Sequence, residues 1–141
     1  MSVKPEVLEK IIESLIEDLG DGLIATDIWF TGDVESLAYI QGKETSPDLI
    51  GFINDVTHKL DQALKGEDIE GIGNYYHINL INNHLMVVLI IDKYQQYLLV
   101  DLSKTAMGIL MNVALPNISE LWSEAVRQPR ANSFLKRLLR T

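Results

Sequence analysis

Asn74-Tyr-Tyr-His-Ile-Asn-Leu-Ile-Asn-Asn-His-Leu-Met-Val-Val-Leu-Ile-Ile91 is the stretch on which the fold of this chain turns. Two runs rich in β-branched and aromatic residues flank Asn82-Asn83, and asparagine tolerates the positive φ that a two-residue hairpin turn demands. Pairing Ile81 with His84 puts Tyr76, Ile78 and Leu80 on one face with Leu89, Val87 and Leu85, and that face is expected to be core. The opposite face carries Tyr75, His77, Asn79 and Ile81 beside Ile90, Val88, Met86 and His84. The second run is apolar on both sides, so its strand is expected in the interior of a sheet covered on both faces.

Working outward, a third strand is expected over about Gln95 to Leu102, and a glycine-bearing linker, Lys65 to Gly73, precedes the hairpin. Before the linker, Ser46-Pro47-Asp48 supplies a capping hydroxyl, a proline for the first turn and an acid for the positive dipole end. The helix it predicts, about 47 to 65, has an apolar arc from Phe52 round to Ile50 of roughly 160°, wider than the stripe of about 100° usual for a helix lying on one sheet. A further element is expected to cover its spare flank, Phe52, Val56 and Ala63.

Nearer the start, Val7, Leu8, Ile11, Ile12, Leu15, Ile16 and Leu19 form the stripe of an amphipathic helix that Pro5 opens and Gly20 and Gly22 close. Leu23 to Phe30 and Val34 to Ile40 then read as a hairpin around Thr31-Gly32-Asp33, with a shorter first strand ending near Asp27 as the alternative. After Ser103 a helical stripe runs from Met107 to Ala125, and Pro116 is expected to kink or divide it.

The chain has 141 residues and 47% hydrophobic content, which suits one domain. Its formal charge of −8 opposes contact with bare nucleic acid or anionic membranes. Cysteine is absent, which excludes disulfides, thiolate nucleophiles and iron–sulfur clusters. The longest apolar run, Leu85 to Ile91, is far short of the about 20 residues that span a bilayer, and the start reads directly into a charged helix, so a cytoplasmic protein is expected. The division expected is 1–127 as the domain and 128–141 as a basic amphipathic tail. That tail carries Arg130, Lys136, Arg137 and Arg140 among Phe134, Leu135, Leu138 and Leu139, and residues 127–141 hold +5 against −13 for the first 126. It reads either as a segment that docks on an acidic surface, its own or a partner's, or as a solvated end.

Catalytic constellations are sparse. There is no phosphate-binding loop, and Gly71-Ile-Gly73-Asn-Tyr-Tyr76 has only two of the three glycines of a dinucleotide fingerprint. His77 and His84 are expected on one face but about 13 Å apart, too far to share a metal. His58, among Asp55, Lys59 and Asp61, reads as solvated, and Glu67-Asp-Ile-Glu70 lacks the alternating oxygen spacing of a calcium loop. No catalytic residue, cofactor or metal ligand is therefore assigned. Trp29 and Phe30 read either as buried or as a patch for a partner, alongside the tail residues just named.

The order helix, strand, strand, helix, three strands, helix resembles the roadblock/dynein light chain domain family over about Val7 to Val126. The features that carry the resemblance are the opening helix ending in Leu19-Gly20, the hairpin from Gly22-Leu-Ile-Ala-Thr-Asp27 through Ala38-Tyr-Ile40, the Ser46-Pro47 helix and the apolar Leu85 to Ile91 strand. The resemblance implies a single α/β (α+β) domain with a five-stranded antiparallel sheet in order 2-1-5-4-3. Helices one and three would lie on one face and helix two on the other. It also implies a homodimer in which third strands pair edge to edge and second helices pack across the dyad. Phe52, Val56, Ala63, Tyr75, Tyr76, His77, Ile78 and Asn79 would then form the interface, and the strand has neither lysine nor proline to discourage such pairing. The family supplies non-catalytic platforms that bind and regulate small Ras-like GTPases or serve motor and signalling complexes. A small-molecule sensor domain of the PAS or GAF kind is the alternative, and it would hold a polar-lined pocket between sheet and helix.

Overall fold

The computed structural model describes residues 3–126. Helix α1 (Pro5–Leu19) is followed by β1 (Leu23–Phe30), β2 (Ser36–Tyr39), α2 (Pro47–Gly66), β3 (Tyr75–Asn79), β4 (His84–Ile91) and β5 (Tyr94–Asp101). Helix α3 occupies residues 107–126. The strands form one five-stranded antiparallel sheet in the order β2-β1-β5-β4-β3. The short hairpin alternative does not occur: β1 continues past Asp27 to Phe30, with a bulge where Ile28 faces Ala38 and Trp29 faces Ser36.

Two apolar layers enclose the sheet. On one face Leu8, Ile11 and Leu15 of α1 and Leu110, Ile118 and Trp122 of α3 pack on Ile28, Leu98, Val87 and Leu89. On the other face Ile50 and Ile53 of α2 cover Trp29, Val88 and Tyr97. Strand β4 contributes to both layers, as its two-sided apolar pattern requires.

Two sequence expectations are corrected. The β3–β4 register is shifted by one residue: Tyr76 pairs with Val88 and Ile78 with Met86, so both lie on the α2 face, not with Leu85, Val87 and Leu89. The cause is the turn, which closes where the Leu80 amide donates to the His84 carbonyl at 2.8 Å and so spans three residues, Ile81 to Asn83, with both asparagines at positive φ. Of the two outcomes expected at Pro116, division does not occur: α3 runs on as helix to residue 126. A π-helical turn, Leu110–Ala114, precedes Pro116, and the Leu115 amide donates to the Leu110 carbonyl five residues back. That wider turn accommodates a residue with no N–H and a ring that would clash with the carbonyl four back.

Asp27 lies on the α2 face with no exposed surface. It accepts from the Ser36 hydroxyl at 2.6 Å and from the Thr45 amide at 3.0 Å, tying β2 and the approach to α2 onto β1. Burial raises its carboxyl above the ordinary 3.8, against these hydrogen bonds, which lower it. The folded protein therefore holds this proton more tightly than the unfolded chain. Stability should fall as pH rises from 3.8 through the raised folded-state value and then level off. In urea titrations from about pH 3.5 to about pH 7, the unfolding free energy of Asp27→Asn relative to wild type should rise across that window and then plateau. A difference that does not vary with pH contradicts the assignment.

Candidate interaction surface

The orientation of α2 decides what the domain presents. Its start is set locally: the Ser46 hydroxyl accepts from the Leu49 amide at 3.3 Å, with Pro47 in the first turn. Its rotation is set by polar pins to the sheet. The Asn54 side-chain oxygen accepts from Trp29 Nε1 at 2.8 Å and from Gln95 Nε2 at 2.9 Å. One turn on, Thr57 Oγ1 donates to Gln95 Oε1 at 3.1 Å and lies 2.7 Å from the Tyr76 hydroxyl. Burial raises the Tyr76 phenol above its ordinary value despite that bond, so the group stays neutral.

With Ile50 and Ile53 turned inward, the rest of the apolar arc faces out. Leu49, Phe52 and Leu60 are exposed, Phe52 at 65%, Ala63 is exposed and Val56 is half-buried. Positions 49, 52, 56, 60 and 63 are spaced three, four, four and three, a seam of the kind that packs against another helix. Beside it, on the same face of the sheet, Ile78 and Leu80 are about 40% exposed.

Strand β3 ends the sheet. The Ile90 amide donates to the Asn74 carbonyl and the Leu80 amide to the His84 carbonyl, so even-numbered positions turn their backbone toward β4. Tyr75, His77 and Asn79 then direct their amides and carbonyls outward, and Tyr75, His77, Ile78 and Asn79 are exposed while Tyr76 is half-buried. The expected interface residues therefore form one surface of helix seam and strand edge. Leu49, Leu60 and Leu80 join it; the first two lay within the apolar arc but carried no signal separating its inner from its outer half.

Other expectations fall differently. Trp29 is fully buried under α2 and offers nothing to a partner, whereas Phe30 is 39% exposed. Arg130, Phe134, Lys136, Arg137 and Arg140 lie outside the described residues. The one-residue shift moves His77 and His84 to opposite faces of the sheet, and His84 instead lies 3.9 Å from Asp101. Hydrogen bonds from the Ser103 hydroxyl and amide hold the Asp101 carboxyl below its ordinary value. Among the described residues no three His, Asp or Glu side chains converge as metal ligands, and no helix is long and apolar enough to cross a membrane.

Nor does the space between α2 and the sheet form a sensor's internal pocket, since Trp29, Ile50, Ile53, Val88 and Tyr97 fill it. A cleft of about 480 Å³ lies on the opposite flank of α2 from the seam, lined by Asn54, Thr57, His58, Asp61, Ile90 and Gln95 among others.

Solved structures share this architecture. MglB from Myxococcus xanthus superposes with a TM-score of 0.75 over 91% of this chain and 93% of its own, at 6% identity. The fold is that of the roadblock/LC7 domain. The gliding protein MglB from Thermus thermophilus matches with a TM-score of 0.68 over 91% of this chain and 95% of its own, at 10% identity. The Roadblock/LC7 domain from Streptomyces avermitilis matches with a TM-score of 0.56 over 92% and 99%, also at 10% identity. No family model and no curated protein sequence matches the chain. The roadblock/LC7 likeness is thus carried by topology and packing, and at such identities it speaks for the fold alone.

The pins on α2 can be tested. Asn54→Leu removes the acceptor shared by the Trp29 indole and the Gln95 amide. Leaving two buried donors unpaired should lower the unfolding free energy by about 2–4 kcal/mol. Urea denaturation measures this, and a loss below about 0.5 kcal/mol would contradict the role given to Asn54.

Proposed function

We propose that this chain is a non-catalytic homodimeric platform that binds and regulates a small Ras-like GTPase in the cytoplasm. The observation that carries the reading is the exposed seam of α2, centred on Phe52 and Val56, beside the unpaired edge of β3. A bare strand edge next to a bare apolar helix stripe is an aggregation hazard unless something covers both. A second copy does so with one two-fold operation: β3 pairs antiparallel with its mate through the outward groups of Tyr75, His77 and Asn79, and the α2 seams meet across the axis.

The GTPase partner follows from the family resemblance, and the roadblock/LC7 fold shared with two MglB proteins supports it. The platform uses no metal or cofactor, performs no hydrolysis or redox chemistry of its own and binds no nucleic acid, in keeping with its −13 body. Phe30, at the end of β1, is the partner contact retained from the hairpin.

Burying Phe52 contributes about 2 kcal/mol per subunit, so sedimentation at micromolar concentration should find a dimer and Phe52→Glu a folded monomer. A wild-type monomer there would contradict the reading. The GTPase is tested separately: immobilised wild-type chain should retain a Ras-like GTPase from lysate of the source cell, and Phe52→Glu should retain at least tenfold less. Equal retention by both proteins would separate GTPase binding from the dimer.

A further inference from the structure

The two sides of β3 are treated differently by the fold. On the α2 side, Tyr76 is half-buried and pinned to Thr57, and Ile78 is 40% exposed beside the α2 seam. On the other side, Tyr75, His77 and Asn79 share a face with the core residues Leu89, Val87 and Leu85, yet all three stand exposed. Helices α1 and α3 cover that face over the other strands and stop short of β3, leaving a shelf. At its head is a hollow of about 240 Å³ whose walls include Leu89, Ile91, Trp122 and Val126. Val126 is also the last described residue of α3, so the chain leaves the described domain at the mouth of this hollow.

We propose that residues 127–141 of the same chain turn back at Pro129 and cover this shelf, seating Phe134 and its apolar neighbours against the hollow and Tyr75. Three observations select this occupant. The segment starts where the hollow opens, so docking is intramolecular and needs no partner concentration. Its reach fits: residues 131–140 as a helix span about 15 Å, and the five residues of β3 about 17 Å. Its chemistry fits as well, since Phe134, Leu135, Leu138 and Leu139 would offer one apolar face to the shelf, and the net +5 of residues 127–141 is drawn to a body that carries −13 while its cations stay in water. The inference stands apart from the dimer, because it uses the face of β3 and not its edge.

Histidine modification by diethyl pyrocarbonate, followed residue by residue in the full chain, tests it. His77 lies under the tail, whereas His58 lies on α2, on the far side of the sheet. In Phe134→Ser/Leu138→Ser, His77 should react at least fivefold faster than in wild type, with His58 unchanged. A converse variant acts from the shelf: in Tyr75→Glu, trypsin should cut after Lys136 and Arg137 at least fivefold faster. The two variants alter opposite partners of the contact, so one that unfolds the domain, seen as faster reaction of all three histidines, leaves the other to decide. Unchanged His77 reactivity in the tail variant, or unchanged tail cleavage in the shelf variant, would overturn the proposal; a tail that docks on a different protein gives this result.

Discussion

A single side-chain oxygen sets the outward character of this domain. Asn54 accepts from the indole of Trp29 and the amide of Gln95, and both donors belong to the sheet. A helix with a narrow apolar stripe would be oriented by that stripe alone. On α2 the arc is so wide that hydrophobic burial is satisfied over a range of rotations, and hydrogen bonds choose among them. The chosen rotation buries Ile50 and Ile53 and turns Phe52 out. Because an unpaired buried donor is costly, the choice is firm, and no buried side-chain nitrogen or oxygen among the described residues lacks a partner.

The opposite face follows a different logic. There α1 and α3 make the larger apolar layer, with one polar chain running through it: Trp122 Nε1 donates to Gln96 Oε1, and Gln96 Nε2 donates to Thr26 Oγ1. These hydrogen bonds fix α3 over the middle of the sheet, where Ala114 and Leu115 are both buried. Keeping two helices on the middle and the β2 side of the sheet leaves β3 uncovered on that face, whereas on the other face α2 leaves bare the edge of β3, Ile78 and Leu80 beside it, and its own outer seam. The two unfinished surfaces therefore arise from separate constraints and suit separate occupants.

Much of this could be read from the sequence where pattern and local chemistry agree. Ser46-Pro47-Asp48 located the start of α2, Gly20 the end of α1, and the alternation of the strands gave a sheet whose order the family resemblance implied. The β3–β4 register was illegible for a physical reason: β4 is apolar on both faces, so slipping its partner by one residue exposes nothing polar on β4 and leaves the pattern equally satisfied. The pins were illegible too. Asn54, Thr57 and Gln95 sit among polar neighbours and look like solvated positions until the sheet is folded beneath them. Asp27 is the extreme case, a carboxylate inside a strand whose partners, Ser36 and Thr45, are 9 and 18 residues away. For the interaction surface, the width of the arc placed a spare flank at Phe52, Val56 and Ala63, and the pins supply the reason why that flank, together with Leu49 and Leu60, is turned out.

The central claim is that the Phe52–Val56 side of α2 meets a second copy of itself. The natural absence of cysteine makes this directly measurable by single substitutions and mild oxidation. Val56→Cys, at the middle of the seam, should form a covalent dimer in high yield, while His58→Cys, on the opposite side of the same helix, should stay monomeric on a denaturing gel. Failure of Val56→Cys to cross-link, or equal cross-linking at both positions, would contradict the account.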